Sequence, residues 1–249
     1  MDEQDTTAPV LIVDQDPSRG VQKLTLNRTG KGNSLDAGLV DDLLQAVARC
    51  YSDGTKLLVF AGAGKNFCSG FDFTGYEQQS AGDLLHRFVR IESLLQLVRR
   101  APFVTIATVA GAAFGAGADL VASCTYRLAG SGARFRFPGF QFGVALGTRH
   151  LARVVGTQEA RQILLTNSTL SAEQAAAIGL LAHVLSSTEQ AEFINATLSA
   201  TASLDPHTAA DLLRLTGDDT NDSDLADLVR SVARPGLHDR MTRYRQGHA

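Results

Sequence analysis

The sequence predicts an α/β fold with a helical tail, and three observations carry that reading. Strand and helix patterns alternate through the first half, each helix pattern leads into a short apolar strand, and residues 204–249 show helical periodicity alone. Residues 10–14 (VLIVD) and 21–27 (VQKLTLN), parted by the turn signal DPSRG, read as paired strands. Val40, Leu43, Leu44 and Val47 recur at helical spacing, and KLLVFAG (56–62) returns as a short buried strand, which completes a β-α-β unit. Leu84, Phe88, Ile91, Leu95 and Val98 mark a long helix that stops near Pro102, before the strand FVTIATV (103–109). A Gly/Ala-rich turn and helix follow over 111–124, then short strands around TYRLAG and RFRF, and helical patterns at 157–165, 171–178 and 187–202. In the tail, HTAADLLRL and DLADLVRSV are divided by the polar stretch TGDDTNDSD. The expected division is a core over residues 1–195 and a helical C-terminal region over 196–249, which covers the ligand site or an oligomer contact.

Composition narrows the function classes. With 249 residues and 44% apolar content, the chain can bury one large core. A formal net charge of -3 gives no basic field for nucleic acid or an acidic membrane, which favours a small-molecule partner. Three cysteines, without a CxxC pair, point to a reducing compartment. The acidic start MDEQDTTAPV lacks a positively charged segment ahead of an apolar one, and no run of about 18 apolar residues occurs, so the expectation is a cytoplasmic protein. The six histidines show no metal-ligand spacing, and no metal is expected.

GAGKNFCSGFD (62–72) reads at first as a phosphate-binding loop. Yet Gly64-Lys65 is followed by Asn66 rather than Ser or Thr, so it is not a nucleotide-triphosphate loop. GAAFGAG (111–117) has the wrong spacing for a dinucleotide fingerprint, and Ser69 lies in CSGFD rather than in GxSxG. Two glycine-rich turns remain, one after each strand of a β-α-β pair. Turns of this kind expose backbone N–H groups that converge on one oxygen atom, an oxyanion hole.

LNRTGKGNSLD, AGAGKNFCSGFDF, APFVTIATVAGAAFGAGADLVASCTYRLAG and FPGFQFGVALGTRHLARVVGTQEARQILLTNSTLSAEQAAAIGLLAHVL, in that order, resemble the enoyl-CoA hydratase/isomerase, or crotonase, superfamily over about residues 10 to 187. The resemblance implies a crotonase-like spiral of repeated ββα units with a C-terminal helical region. It also implies a homotrimer or homohexamer, and an acyl-CoA substrate in which coenzyme A is part of the substrate and no cofactor is tightly bound. The backbone N–H groups of Phe71 and Ala116 would hold the thioester oxygen. Phe71, Asp72, Phe73 and Thr74 would lie along the coenzyme A, with Asp72 alternatively bracing the turn. Lys65, or the basic run Arg240, Arg243 and Arg245, would meet its phosphates; a solvated face at a helix end is the plainer reading of that run.

The acid/base positions depart from the family pattern. Hydratases place one Glu in a GGGxEL-like segment and a second in a PE motif; here these are Asp119 in GAGADL and Gly139 in FPGFQFG. Glycine neither orients water nor moves a proton. The segment after Gly143 also looks shortened. Substitutes in the sequence are His150, Arg149, Glu77, Tyr76, His86 and Gln141, although a helical histidine is the plainer reading of His150 and His86, and Cys68 more often packs than reacts. The expected activity is of the hydratase or isomerase type, with Asp119 as the acid/base. Decarboxylation, C–C hydrolysis and non-catalytic acyl-CoA binding stand as alternatives.

Overall fold

The N-terminal strands pair as expected. β1 (Leu11–Asp16) and β2 (Val21–Leu26) form an antiparallel hairpin, Leu11 opposite Leu26 and Asp16 opposite Val21. The computed structural model describes residues 8–217 and 219–247. α1 (Ala37–Cys50), capped by the Asp36 carboxylate on Leu39 N, leads into β3 (Leu57–Gly62). α2 (Ala81–Arg99), opened by a Ser80/Asp83 capping box, leads into β4 (Val104–Val109). The four residues Leu57–Phe60 are buried on both faces, as are Val104–Ala107, which is what central parallel strands require.

The Gly/Ala-rich stretch expected as turn and helix contains a strand as well: β5 (Ala112–Phe114) precedes α3 (Ala116–Ala122). β6 (Tyr126–Ala129), β7 (Arg134–Arg136), α4 (Thr148–Val155), α5 (Thr157–Thr166), β8 (Leu170–Ser171), α6 (Ala172–Ala177), β9 (His183–Val184) and α7 (Ser187–Thr201) follow. The larger sheet runs β1-β2-β3-β4-β6-β9 and is parallel from β2 onward; the smaller runs β5-β7-β8. Single bridges from Cys68 to Ala113 and from Phe71 to Leu35 carry the smaller layer back toward the N-terminus. Each turn of the chain therefore gives one strand to the large sheet and one to the small before its helix, a spiral of ββα units.

The principal core lies between the two layers and the helices α1, α2 and α3. A second cluster (Leu57, Val59, Val104, Ile106, Leu128) fills the outer face of the large sheet, where Leu198 of α7 covers it. α7 runs through position 195, so one helix spans the expected boundary between core and tail. The tail comprises α8 (Pro206–Leu215), α9 (Asn221–Val232) and α10 (Leu237–Arg245). The residues NDSD of the expected polar divider form the first turn of α9. Leu228, Val232, Leu237 and Met241 enter the principal core, whereas α8 buries no residue and leaves Leu212 and Leu215 exposed.

Gly111 fixes how the layers meet. Its φ is +62°, and a methyl group there would stand 1.8 Å from the Lys65 carbonyl oxygen. Gly111→Ala should cost at least about 2 kcal/mol, from left-handed strain together with overpacking. Chemical denaturation reads that loss directly, and a variant as stable as the wild type would show that this contact is not obligatory.

Candidate active site

Two turns build the site from backbone. The first leaves β3 and is braced by Asn33, whose amide donates to the carbonyls of Ala63 and Asn66 at 2.9 and 2.8 Å. The second is stitched to it: Cys68 N donates to Ala112 O (3.1 Å), Phe114 N to Cys68 O (2.9 Å), and Ala112 N to the Asn66 side chain (3.1 Å). The contact leaves no room for side chains. A methyl group on Gly117 would lie 2.5 Å from Cys68 O; one on Gly70, where φ is +92°, would lie 2.6 Å from Phe114 O and 3.4 Å from Ala116 N.

This geometry frees two N–H groups. Leu35 pairs with the first turn through Gly70 O and Asp72 N, so the N–H of Phe71 between them points away from that ladder. Ala116 opens α3, whose first intrahelical donor is Asp119 N, to Gly115 O. Neither N–H has an acceptor among the described residues. Phe71 and Ala116 line one cavity of about 110 Å3, together with Asp119 and a wall of phenylalanines. Phe71 stacks on Phe88 with centroids 4.4 Å apart, Phe73 meets Phe142 edge-on at 5.9 Å, and Tyr244 of α10 closes on Phe142 at 5.0 Å.

Two N–H groups without an acceptor among the described residues, on glycine-rich turns, thus share one cavity with a carboxyl group one helical turn after Ala116. The Enoyl-CoA hydratase/isomerase family model matches residues 16–219. The chain belongs to the enoyl-CoA hydratase/isomerase family. It is 31% identical over 185 residues to the Arabidopsis thaliana protein named "Probable enoyl-CoA hydratase 1, peroxisomal", covering 72% of this chain and 68% of that one. It is 32% identical over 184 residues to the Bos taurus "Enoyl-CoA hydratase domain-containing protein 2, mitochondrial", covering 70% of this chain and 60% of that one. A Bordetella parapertussis crystal structure, provisionally named an enoyl-CoA hydratase/isomerase, superposes with a TM-score of 0.92 at 43% identity, over 95% of this chain and 98% of that one.

Asp119 is the carboxylate of this family member's cavity. It is 7% exposed, its side chain has no hydrogen-bond partner among the described residues, and the backbone of Gly147 packs against it so closely that a methyl group there would be 2.5 Å from Oδ1. Burial raises its pKa well above the ordinary carboxylate value; nearby Glu92 adds to the rise and Arg99 opposes it. Burial thus favours its neutral form over the carboxylate.

Behind it lies a buried charged layer that sequence reasoning missed. Arg99 pairs with Glu92 (2.9 Å) and Asp224 (3.4 Å), and Arg149 pairs with Asp224 (3.2 Å) and Asp227. Glu92 sits on the apolar face of α2, and Asp224 lies within a stretch that reads as loop, so neither offered a sequence signal. Arg136 and Tyr244 also line the cavity. Arg136 was legible at most as a cation in the alternating RFRF.

The remaining expected residues separate into three groups. Asp72 braces its turn: burial would raise its pKa, but hydrogen bonds from Thr74 and Arg28 and the charge of Arg28, at 2.9 Å, outweigh that and hold it at about 2. Phe73 lines the cavity, Thr74 is exposed beside it, and Lys65 is exposed on the first turn. His150 and Arg240 are corrected, and Cys68 packs as expected. The His150 Nε2 meets Ala122 O at 2.6 Å, and burial, with the Arg99 charge, pushes its pKa down to about 4. Cys68 is fully buried, with its thiol pushed up to about 12. Arg240 donates to the carbonyls of Phe142, Gly143 and Arg234 at 2.8, 3.1 and 3.0 Å, clamping α10, so it is not available to a phosphate.

Two outcomes follow. Asp119→Asn should be more stable than the wild type at neutral pH. A carboxyl group with a raised folded pKa loses stability as pH climbs from its unfolded value, about 3.9, by about 1.4 kcal/mol per pH unit until the folded pKa is passed. The melting temperatures of the two proteins should therefore converge near pH 4 and diverge above it; a constant gap would contradict the buried acid. Arg99→Met should cost about 3–5 kcal/mol in denaturation experiments, because it leaves Glu92 and Asp224 buried without their shared counter-charge.

Proposed function

We propose that the chain acts on an acyl-CoA thioester, stabilising an enolate-like oxyanion through Phe71 N and Ala116 N, with Asp119 as the single acid/base at the acyl chain, its carboxylate form removing a proton and its carboxyl form delivering one. The observation that carries this reading is the pairing of two free N–H groups with one partnerless carboxyl group on the same cavity. Each N–H of such a pair contributes about 2.7–4 kcal/mol where charge develops on the thioester oxygen. The acyl group enters the phenylalanine-lined cavity. The coenzyme A passes along Phe71, Asp72, Phe73 and Thr74, and its phosphates are met by Lys65 or the exposed Arg243 and Arg245.

Within the family's chemistry, a one-acid reaction fits best. Hydration uses one carboxylate to position water and another to move the proton, and Asp119 is the cavity's one carboxylate among the described residues. Gly139 lines the cavity at the second position, but a methyl group there would lie 2.7 Å from the Val144 carbonyl oxygen. This favours isomerisation, or decarboxylation and C–C hydrolysis with the enolate protonated by Asp119, over hydration. We further propose that the protein assembles as a homotrimer or homohexamer. Its support is the exposed Leu212 and Leu215 on α8, beside an apolar groove of about 500 Å3 between α7, α8 and the outer sheet.

Asp119→Asn should lower turnover of the authentic acyl-CoA by about 10²–10⁴-fold with affinity nearly unchanged, read by steady-state kinetics and calorimetry. Near-full turnover in that variant would assign the proton transfer elsewhere. Crotonyl-CoA hydration should be weak in the wild type and should not be restored by Gly139→Glu, because Val144 blocks the side chain; efficient hydration by the wild type would defeat the one-acid reading.

A further inference from the structure

Arg136 is the cavity's one cation among the described residues, and neither the proposed oxyanion hole nor Asp119 uses it. Its residue ends β7 in register with Phe114 of β5, and its carbonyl accepts from Gly115 N at 2.8 Å, so its backbone is fixed to the second oxyanion turn. The side chain is oriented as well. Its Nε donates to the backbone and side-chain oxygens of Asn167 at 3.2 and 3.0 Å, at the C-terminal end of α5. The terminal nitrogens have no protein acceptor among the described residues, and no carboxylate pairs with them there. Asp119 is not their counter-ion, since the charges that act on Asp119 are those of Glu92 and Arg99. The neighbour that does feel Arg136 is the Tyr244 phenol, on α10.

A half-buried guanidinium with its fork unoccupied, among aromatic walls that exclude water, is a receptor for a planar oxyanion. Its two parallel N–H donors match a carboxylate, and the low local dielectric strengthens the pair. The phenylalanines beside it suit a short methylene chain, and the cavity of about 110 Å3 admits only a few carbons. We propose that Arg136 selects acyl groups that end in a carboxylate, so that the substrates are coenzyme A thioesters of short dicarboxylic acids, with Tyr244 as a second donor to the same oxygens. This rests on the acyl-CoA reading above. The carboxylate so held is recognised at the far end of the acyl chain and is not the reacting group.

The test is a length-matched binding series by calorimetry: succinyl-CoA against butyryl-CoA, glutaryl-CoA against valeryl-CoA, and coenzyme A alone. In the wild type at least one dicarboxylic thioester should bind about 10-fold or more tightly than its methyl-ended partner, with the preference falling as salt rises. Arg136→Met should abolish the preference while retaining valeryl-CoA binding, which also reports that the variant is folded; Arg136→Lys should keep part of it. If the methyl-ended thioesters bind and the dicarboxylic ones gain nothing, the selection by Arg136 is wrong and the acyl-CoA reading stands. If Arg136→Met weakens coenzyme A alone as much as every thioester, the guanidinium meets a phosphate and the proposal falls. If no thioester binds, both readings fall together. Should Arg136→Met not fold, the wild-type preference and its salt dependence decide.

Discussion

The site depends on one contact, that of two glycine-rich turns pressed together through their backbones. Cys68 and Asn66 of the first turn bond Ala112 and Phe114 of the second, and Gly70, Gly111 and Gly117 each leave the space that a side chain would need. Donors that must meet one developing oxyanion have to be placed before the charge appears, and backbone N–H groups in a rigid ladder meet that condition better than mobile side chains. The contact also joins the large sheet to the small one, so a single constraint organises both the spiral and its chemistry.

Around that frame the electrostatics run in opposite directions on neighbouring residues. Asp72 is held ionised by Arg28 and Thr74, and its turn is further pinned by Arg87, which donates to Asp72 O at 2.7 Å and lies 4.0 Å over the Phe71 ring. Asp119 is buried, without a side-chain partner among the described residues, and near Glu92, so its neutral form is favoured. Two carboxyl groups flanking the same two turns are thereby shifted in opposite directions, Asp72 toward the ionised form and Asp119 toward the neutral one. The layer behind Asp119 is itself incompletely bonded: Glu92 Oε2, Arg99 Nη1, His150 Nδ1 and Asn221 Nδ2 have no partner among the described residues. Polar atoms left so are costly, and within this layer Glu92 raises the Asp119 pKa while Arg99 lowers it.

Much of this was legible in the sequence because it resides in backbone and spacing. The β-α-β alternation and the two turns follow from apolar periodicity and glycine position, whereas the roles expected of Phe71, Ala116 and Asp119 came from the family resemblance. What escaped was set by tertiary context. β5 hides in Gly/Ala-rich residues whose composition reads as a turn, and α4 in GTRHL offered too short an apolar pattern to separate from a loop. Arg240 looked like a member of a free basic run, yet five carbonyls from three segments surround its guanidinium. Tyr244 reaches the cavity only because Leu237 and Met241 anchor α10 in a core that sequence spacing assigned to other elements.

The room for side chains on the wall facing Asp119 is set by the 139–147 segment rather than by one residue. Gly139, the first residue of a 3-10 helix (Gly139–Phe142), and Gly147, at the start of α4, bracket a short segment in which Val144 N donates back to Gly139 O at 2.9 Å. That closure brings the Val144 carbonyl into the space a side chain at 139 would occupy, while Gly147, at φ +60°, folds the segment down onto Asp119. The Val144 carbonyl thus fills the place of a side chain at 139, and Gly147 helps to shield Asp119 from water. One segment therefore both limits the side chains on that wall of the cavity and contributes to the burial that raises the Asp119 pKa.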